Sequence, residues 1–178
     1  MGKFLKLITN GFMTGVSETW CNNEGVAVLP FVYKYNQYWF LLMKEKNPLF
    51  ENKKISFFST LTGGCKLGKS SLETVKNEIL EETGINIRSL KLDCIYRLGS
   101  YYANKTSIKI WHFYAVDLSS LNLDLKLSYF GKGDGSIGEN GINGIFINES
   151  ELDKVNDALT LAIYGKLWLN NTIVNINK

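Results

Sequence analysis

A chain of 178 residues in which 45% are hydrophobic has the material for one buried core and would leave two cores cramped. Its formal charge of +3, with 21% of residues charged, is too mild to mark a nucleic-acid or membrane surface. Three cysteines, Cys21, Cys65 and Cys94, are odd in number, widely spaced and free of any Cys-x-x-Cys. That pattern argues against a disulfide framework and a thiolate zinc site, and for a reducing cytoplasm.

The N-terminus, "MGKFLKLITNGFMTG", starts basic, but Lys6, Thr9 and Asn10 break its apolar stretch and no small-residue cleavage signal follows. It does not read as a signal peptide, and Lys6 stands where a myristoylation motif wants serine or threonine. Residues 1–22 read as an N-terminal extension of a single domain spanning 1–178. No apolar run approaches the roughly 18 residues that cross a bilayer.

From Gly25 to Lys46, "GVAVLPFVYKYNQYWFLLMKEK" is rich in Val, Phe and Tyr, with a polar break at Asn36-Gln37, and predicts a β-hairpin. A shorter apolar run, Ile55 to Leu61, leads into Thr62-Gly63-Gly64, where paired glycines mark a tight loop or a close backbone approach. Then comes the best-marked helix in the chain. Ser70 and Glu73 make a capping box, Leu72, Val75 and Ile79 an apolar stripe, and Gly84 the left-handed stop. Leu90 to Leu98 and Ser107 to Leu118 read as strands, and a glycine-rich tract from Gly131 to Gly144 as a long flexible loop. Ile145 to Ile147 is one more apolar run, and Asp157 to Asn170 repeats apolar residues at helical spacing. Strands, helix, strands, helix in this order predict an α+β fold with a mixed sheet.

The helix crowds Glu78, Glu81 and Glu82 onto one face, where like charges at i, i+3 and i+4 cost roughly 0.2–0.5 kcal/mol per pair. Either that face points into water or something positive sits on it. A glycine at position 63, the acidic helix and the stop Thr83-Gly84-Ile85 together resemble the Nudix hydrolases, whose signature is Gly-x5-Glu-x7-Arg-Glu-apolar-x-Glu-Glu-x-Gly-apolar. "NEILEETGI", Asn77 to Ile85, matches the second half everywhere except the arginine, and Lys69 stands in place of the first glutamate. A second alignment sets Gly63-Gly64 on the family's usual double glycine and shortens the loop by one residue. The order of elements from about Gly25 to Asn170 also looks like the family; the box alone is specific to it.

The resemblance implies an α/β/α sandwich and hydrolysis of the diphosphate linkage in a nucleoside diphosphate derivative, with Mg²⁺ or Mn²⁺. Such hard cations prefer carboxylate oxygens and commonly bridge to substrate phosphates. By resemblance Glu78 and Glu82 hold metal, with Glu81 close by and a backbone carbonyl near Thr62 or Gly63. His112, the single histidine, sits inside a strand pattern, so a carboxylate, Glu81 or Glu139 of the glycine-rich tract, is expected as general base. Thr62, Gly64 and Lys44 are candidate substrate contacts. In the family the missing glutamate and arginine look like charge partners that brace the loop against the helix. Lys69 and Asn77 therefore leave a second reading open, a nucleotide-binding or sensor protein with impaired turnover. The resemblance allows a homodimer, and capped RNA stays among the possible substrates.

Overall fold

The computed structural model describes residues 5–46, 56–133 and 143–170. A small hairpin, β1 (Lys6–Thr9) and β2 (Thr14–Ser17), comes first. Among the described residues the main sheet has seven strands: β3 (Glu24–Lys34), β4 (Gln37–Lys46), β5 (Ser56–Ser59), β6 (Leu61–Gly64), β7 (Ile95–Tyr102), β8 (Ile110–Asp117) and β9 (Asn143–Asn148). Two helices, α1 (Ser71–Thr83) and α2 (Ala158–Leu169), complete it.

β3 is the axis. Its C-terminal half pairs antiparallel with β4, from Phe31↔Phe40 to Lys34↔Gln37, through a two-residue turn at Tyr35 and Asn36, both at positive φ (57° and 62°). That twist suits a tight hairpin. Its N-terminal half pairs antiparallel with β6, from Gly25↔Gly64 to Val28↔Leu61, and it runs parallel to β8, from Glu24↔Ile110 to Phe31↔Asp117. The sheet is therefore mixed, as expected. β3 reads as an unbroken apolar run because both its faces are covered. Val26 and Val28 pack with Val75 and Ile79 of α1, while Ala27 and Leu29 pack with Ile163 and Leu167 of α2. One helix on each face makes the α/β/α sandwich.

α1 starts and stops where its sequence signals stand. Ser70 Oγ accepts from Glu73 N–H, the Glu73 carboxylate in turn accepts from Ser70 N–H, and Gly84 takes the left-handed conformation at φ 74°. Asp157 caps α2 by accepting from the Leu159 and Thr160 amides.

Three elements depart from expectation. The run Leu90 to Leu98 is not one strand: Leu92–Cys94 forms a short 3₁₀ turn, and β7 begins at Ile95 and continues to Tyr102. The Ile55 to Leu61 run divides into β5 and β6, so Thr62, Gly63 and Gly64 lie within a strand rather than in a loop. The glycine-rich tract is held at its two described ends, and its middle, residues 134–142, lies outside the described residues. The Gly131 and Gly133 amides donate to the Glu82 and Glu81 carbonyls at 2.9 Å each, and Gly144 lies in β9. No helix among the described residues is long and apolar enough to cross a membrane.

Candidate metal centre

Two elements build the site: the end of β6 and the second half of α1, which lies across it. Val75 and Ile79 fix the rotation of α1 by burying its apolar stripe against Val26, Val28 and Leu61. With that stripe facing the sheet, Glu78, Glu81 and Glu82 come to a cleft of about 170 Å³ and remain half-buried. Its other described walls are Thr62, Gly63 and Gly64 of β6, with Trp20, Lys66 and Gly133.

The contact that shapes the cleft is between Gly63 and Glu78. A Cβ on Gly63 would overlap the Glu78 carboxylate, so the glutamate side chain lies directly on the strand backbone. The paired glycines are thus a close approach, the second of the two readings open from sequence. Gly64 does the same for the indole of Trp20, whose ring occupies the space a Cβ would fill. Trp20 is set there by a buried cation. Lys109 Nζ lies 4.1 Å from the centroid of Trp111 and 6.0 Å from that of Trp20, and pairs with Glu18 Oε2 at 2.8 Å.

The cleft brings together six of the expected site residues: Glu78, Glu81, Glu82, Thr62, Gly63 and Gly64. Lys44 is not among its walls. It is exposed on β4, paired in register with Asn143 and Phe58. Glu139 lies outside the described residues. Its tract enters at Gly133, which does line the cleft.

Sequence reasoning missed Trp20, Lys66 and Gly133. A lysine two residues past Gly64 was a legible signal for Lys66. Nothing local to Trp20 announces that it packs on a strand some forty residues later, and the reading of 1–22 as an extension set it apart from the site.

Lys69 is turned to local use. It pairs with Glu73 at 3.6 Å, with both side chains about half exposed (55% and 54%). The Ser70 amide first, and Lys69 second, hold the Glu73 carboxyl below the ordinary carboxylate range. Lys69 and Glu73 therefore belong to the start of α1, one face of which ends in the three carboxylates two turns later. Asn77 is half-buried on the same helix.

No family model matches the sequence, and no curated protein matches it. Solved structures do. A protein from Listeria monocytogenes assigned to the Nudix hydrolases shares 20% identity at a TM-score of 0.52, over 83% of this chain and 94% of that one. The Nudix domain of NrtR from Shewanella oneidensis, crystallised with ADP-ribose, shares 14% identity at a TM-score of 0.56, over 83% and 86%. An Ap4A hydrolase from C. elegans shares 16% identity at a TM-score of 0.55, over 84% and 97%. The chain has the Nudix fold. At these identities the likeness speaks for the fold, and the chemistry rests on the residues of the cleft.

The donor set fits a hard divalent cation. Three carboxylates reach one cleft, a glycine lets one of them lie against the strand, and the exposed Thr62 beside it carries a backbone carbonyl. Gly63→Ala tests that geometry. The atoms in the way are the far end of a flexible side chain, so the fold should survive with Tm changed by no more than a few degrees. The Glu78 carboxylate must move, however, and if Mn²⁺ or Mg²⁺ raises the Tm of the unmodified chain, that rise should fall by more than half in the variant. Differential scanning calorimetry with and without metal checks this; an undiminished rise would show that Glu78 does not need its seat on Gly63.

Proposed function

We propose that this chain is a divalent-cation-dependent hydrolase that cleaves the diphosphate linkage of a nucleoside diphosphate derivative, within a single Nudix domain. The observation that carries the reading is the convergence of Glu78, Glu81 and Glu82 on one cleft beside Gly63. Structural neighbours that bind ADP-ribose or hydrolyse Ap4A support the nucleotide class.

In this reading Glu78 and Glu82 hold Mg²⁺ or Mn²⁺. The cation supplies Lewis-acid polarisation of a phosphoryl oxygen and offsets charge developing on the diphosphate. Water attacks phosphorus, the bridging P–O bond breaks, and the proton lost by water passes to a carboxylate. Glu81 is one candidate for that proton, already in the cleft; Glu139 is the other. Lys66, also on the cleft wall, meets the leaving phosphate as a point charge. Trp20, 42% exposed on the cleft wall, offers its indole for a base to stack on.

The experiment is a hydrolysis screen over nucleoside triphosphates, ADP-ribose, dinucleoside polyphosphates and capped RNA, with and without Mg²⁺. Turnover should require metal, and Glu82→Gln should remove most of it together with the metal-induced rise in Tm. Equal metal shifts in both proteins would refute the ligand assignment. The base is separated by a second pair of variants. If Glu139 takes the proton, Glu139→Gln should lower kcat by roughly 10²-fold or more, the usual scale for a general base. If its activity barely changes while Glu81→Gln loses that factor, the role belongs to Glu81.

A second reading, a nucleotide-binding or sensor protein with weak turnover, is favoured by one observation: among the described residues the Lys69 ammonium is paired with Glu73, four residues along the chain. If the missing charge pair costs precision, a 1 Å displacement is enough to cost about 10²-fold in rate. Lys69→Glu with Asn77→Arg should then raise kcat/KM by more than the two single changes combined, since each alone adds a charge without its partner. Lys69→Glu alone should also lower stability slightly, because it sets two glutamates at i, i+4 with Glu73. A double-mutant cycle on the best substrate of the screen measures the coupling. Full activity in the unmodified chain with no gain in the double variant would dismiss the brace, and no turnover in either would leave binding as the function.

A further inference from the structure

A second group of potential ligands lies on the same face of the sheet, outside the cleft. Glu24 opens β3, Cys65 directly follows β6, and His112 lies in β8. Their donor atoms, a carboxylate oxygen, a thiol sulfur and an imidazole nitrogen, all fall within 4.8 Å of one another. The backbone sets them there: the Cys65 amide donates to the Glu24 carbonyl at 2.9 Å, and His112 pairs in register with Val26, two residues from Glu24.

Neighbouring groups complete the arrangement. Ser100 Oγ is 2.8 Å from His112 Nδ1, which turns Nε2 toward Glu24 Oε2 at 3.4 Å. Donors held ~2.1 Å from a tetrahedral ion stand ~3.4 Å apart, so this spacing matches an edge of a zinc coordination shell. A partner on the outer nitrogen is the usual company of a metal-ligating histidine. Cys65 is buried (5% exposed), the His112 side chain nearly so (13%), and the Glu24 side chain is 45% exposed, which leaves an entry path and a coordination position facing water.

We propose that Glu24, Cys65 and His112 form a site for a borderline-soft divalent cation of the zinc class, with water as fourth ligand. A thiolate and an imidazole do not suit Mg²⁺, whereas an all-carboxylate cleft accepts it, so the two sites differ in the cations they can take. They are also separate in space. Glu78 seats on Gly63, and Glu24, Cys65 and His112 are not among the described walls of the cleft that the three carboxylates share. On binding, the Cys65 thiol forms a sulfur–metal bond and gives its proton to solvent. The ion then ties β3 and β8 to the first residue of the loop that leads into α1.

The test uses the full 178-residue chain, stripped with chelator under a non-thiol reductant, and adds Co²⁺ or Zn²⁺ alone. One equivalent of Co²⁺ should give thiolate-to-cobalt charge-transfer absorption with a tetrahedral visible spectrum, and Zn²⁺ should displace it. Cys65→Ser should abolish the charge-transfer band, while Cys21→Ser, Cys94→Ser and Glu82→Gln should keep it; the last separates this site from the carboxylate cleft. Ser100→Ala leaves all three ligands in place and should weaken Zn²⁺ binding about 10–100-fold. Absence of the band in the unmodified chain, or its survival in Cys65→Ser, overturns the proposal. If Cys65→Ser fails to fold, Ser100→Ala and His112→Gln decide, and unchanged affinity in both overturns it equally.

Discussion

The site depends on one close approach, helix α1 laid on strand β6 with the Glu78 side chain seated directly on the Gly63 backbone. Glu78 fills the space a Cβ would take, so the helix can lie near enough for its carboxylates to share a cleft with the Thr62–Gly64 backbone. The apolar stripe sets the rotation of the helix and the capping box sets where it begins. Neither would seat the Glu78 carboxylate on the strand if residue 63 carried a methyl group. Glycine is used here for the room it leaves, since Gly63 is not among the residues at positive φ.

The price of that arrangement falls at the C-terminal end of α1. Three carboxylates in the last two turns repel one another and also face the negative end of the helix dipole. Part of the helix end is satisfied from an unexpected quarter: the Gly131 and Gly133 amides donate to the carbonyls of Glu82 and Glu81. Gly131 has to be glycine, because a Cβ there would overlap the Glu81 carbonyl, and a Cβ on Gly84 would crowd the Phe130 carbonyl. The start of the glycine-rich tract is thus packed onto the helix end, which explains how Gly133 comes to line the cleft. The repulsion between the side chains is not relieved by these bonds. It is the kind of local cost that a bound cation removes, and it sits in the cleft proposed to hold one.

How much of this could be read from the chain follows from the range of each interaction. α1 was legible because capping box, stripe and glycine stop all lie within fifteen residues of sequence. The β3–β4 hairpin was legible for the same reason. The strand expected at Leu90 to Leu98 was misplaced because two of its apolar residues, Leu92 and Cys94, belong to the turn Leu92–Cys94, and β7 carries a register shift between Arg97 and Gly99 with Gly99 at φ 122°. Of the cleft, what the box spells out was legible. Trp20 was not, since its place is fixed by Lys109, Trp111 and Gly64, residues remote in sequence. Glu24, Cys65 and His112 were hidden for the same reason. Cysteine spacing argued against a thiolate zinc site, and spacing cannot reveal a mixed one whose ligands are 41 and 47 residues apart.

The α1 face of the sheet therefore carries two different chemistries one helical turn apart. Toward the C-terminal end of α1 the donors are hard oxygens, half-buried and open to a cleft large enough for a phosphate. Toward its N-terminal end, where Ser71 Oγ shares a 2.8 Å hydrogen bond with Tyr114 OH, the donors are a thiol, an imidazole and one carboxylate, the first two withdrawn from solvent. The loop between them, residues 65–70, is the segment that the family's glutamate and arginine look to hold down. Here, among the described residues, the Lys69 ammonium pairs with Glu73. A cation at Cys65 would fasten that loop at its first residue and the capping box fastens it at its last, so a chain without the charge pair can still hold Gly63 beneath Glu78.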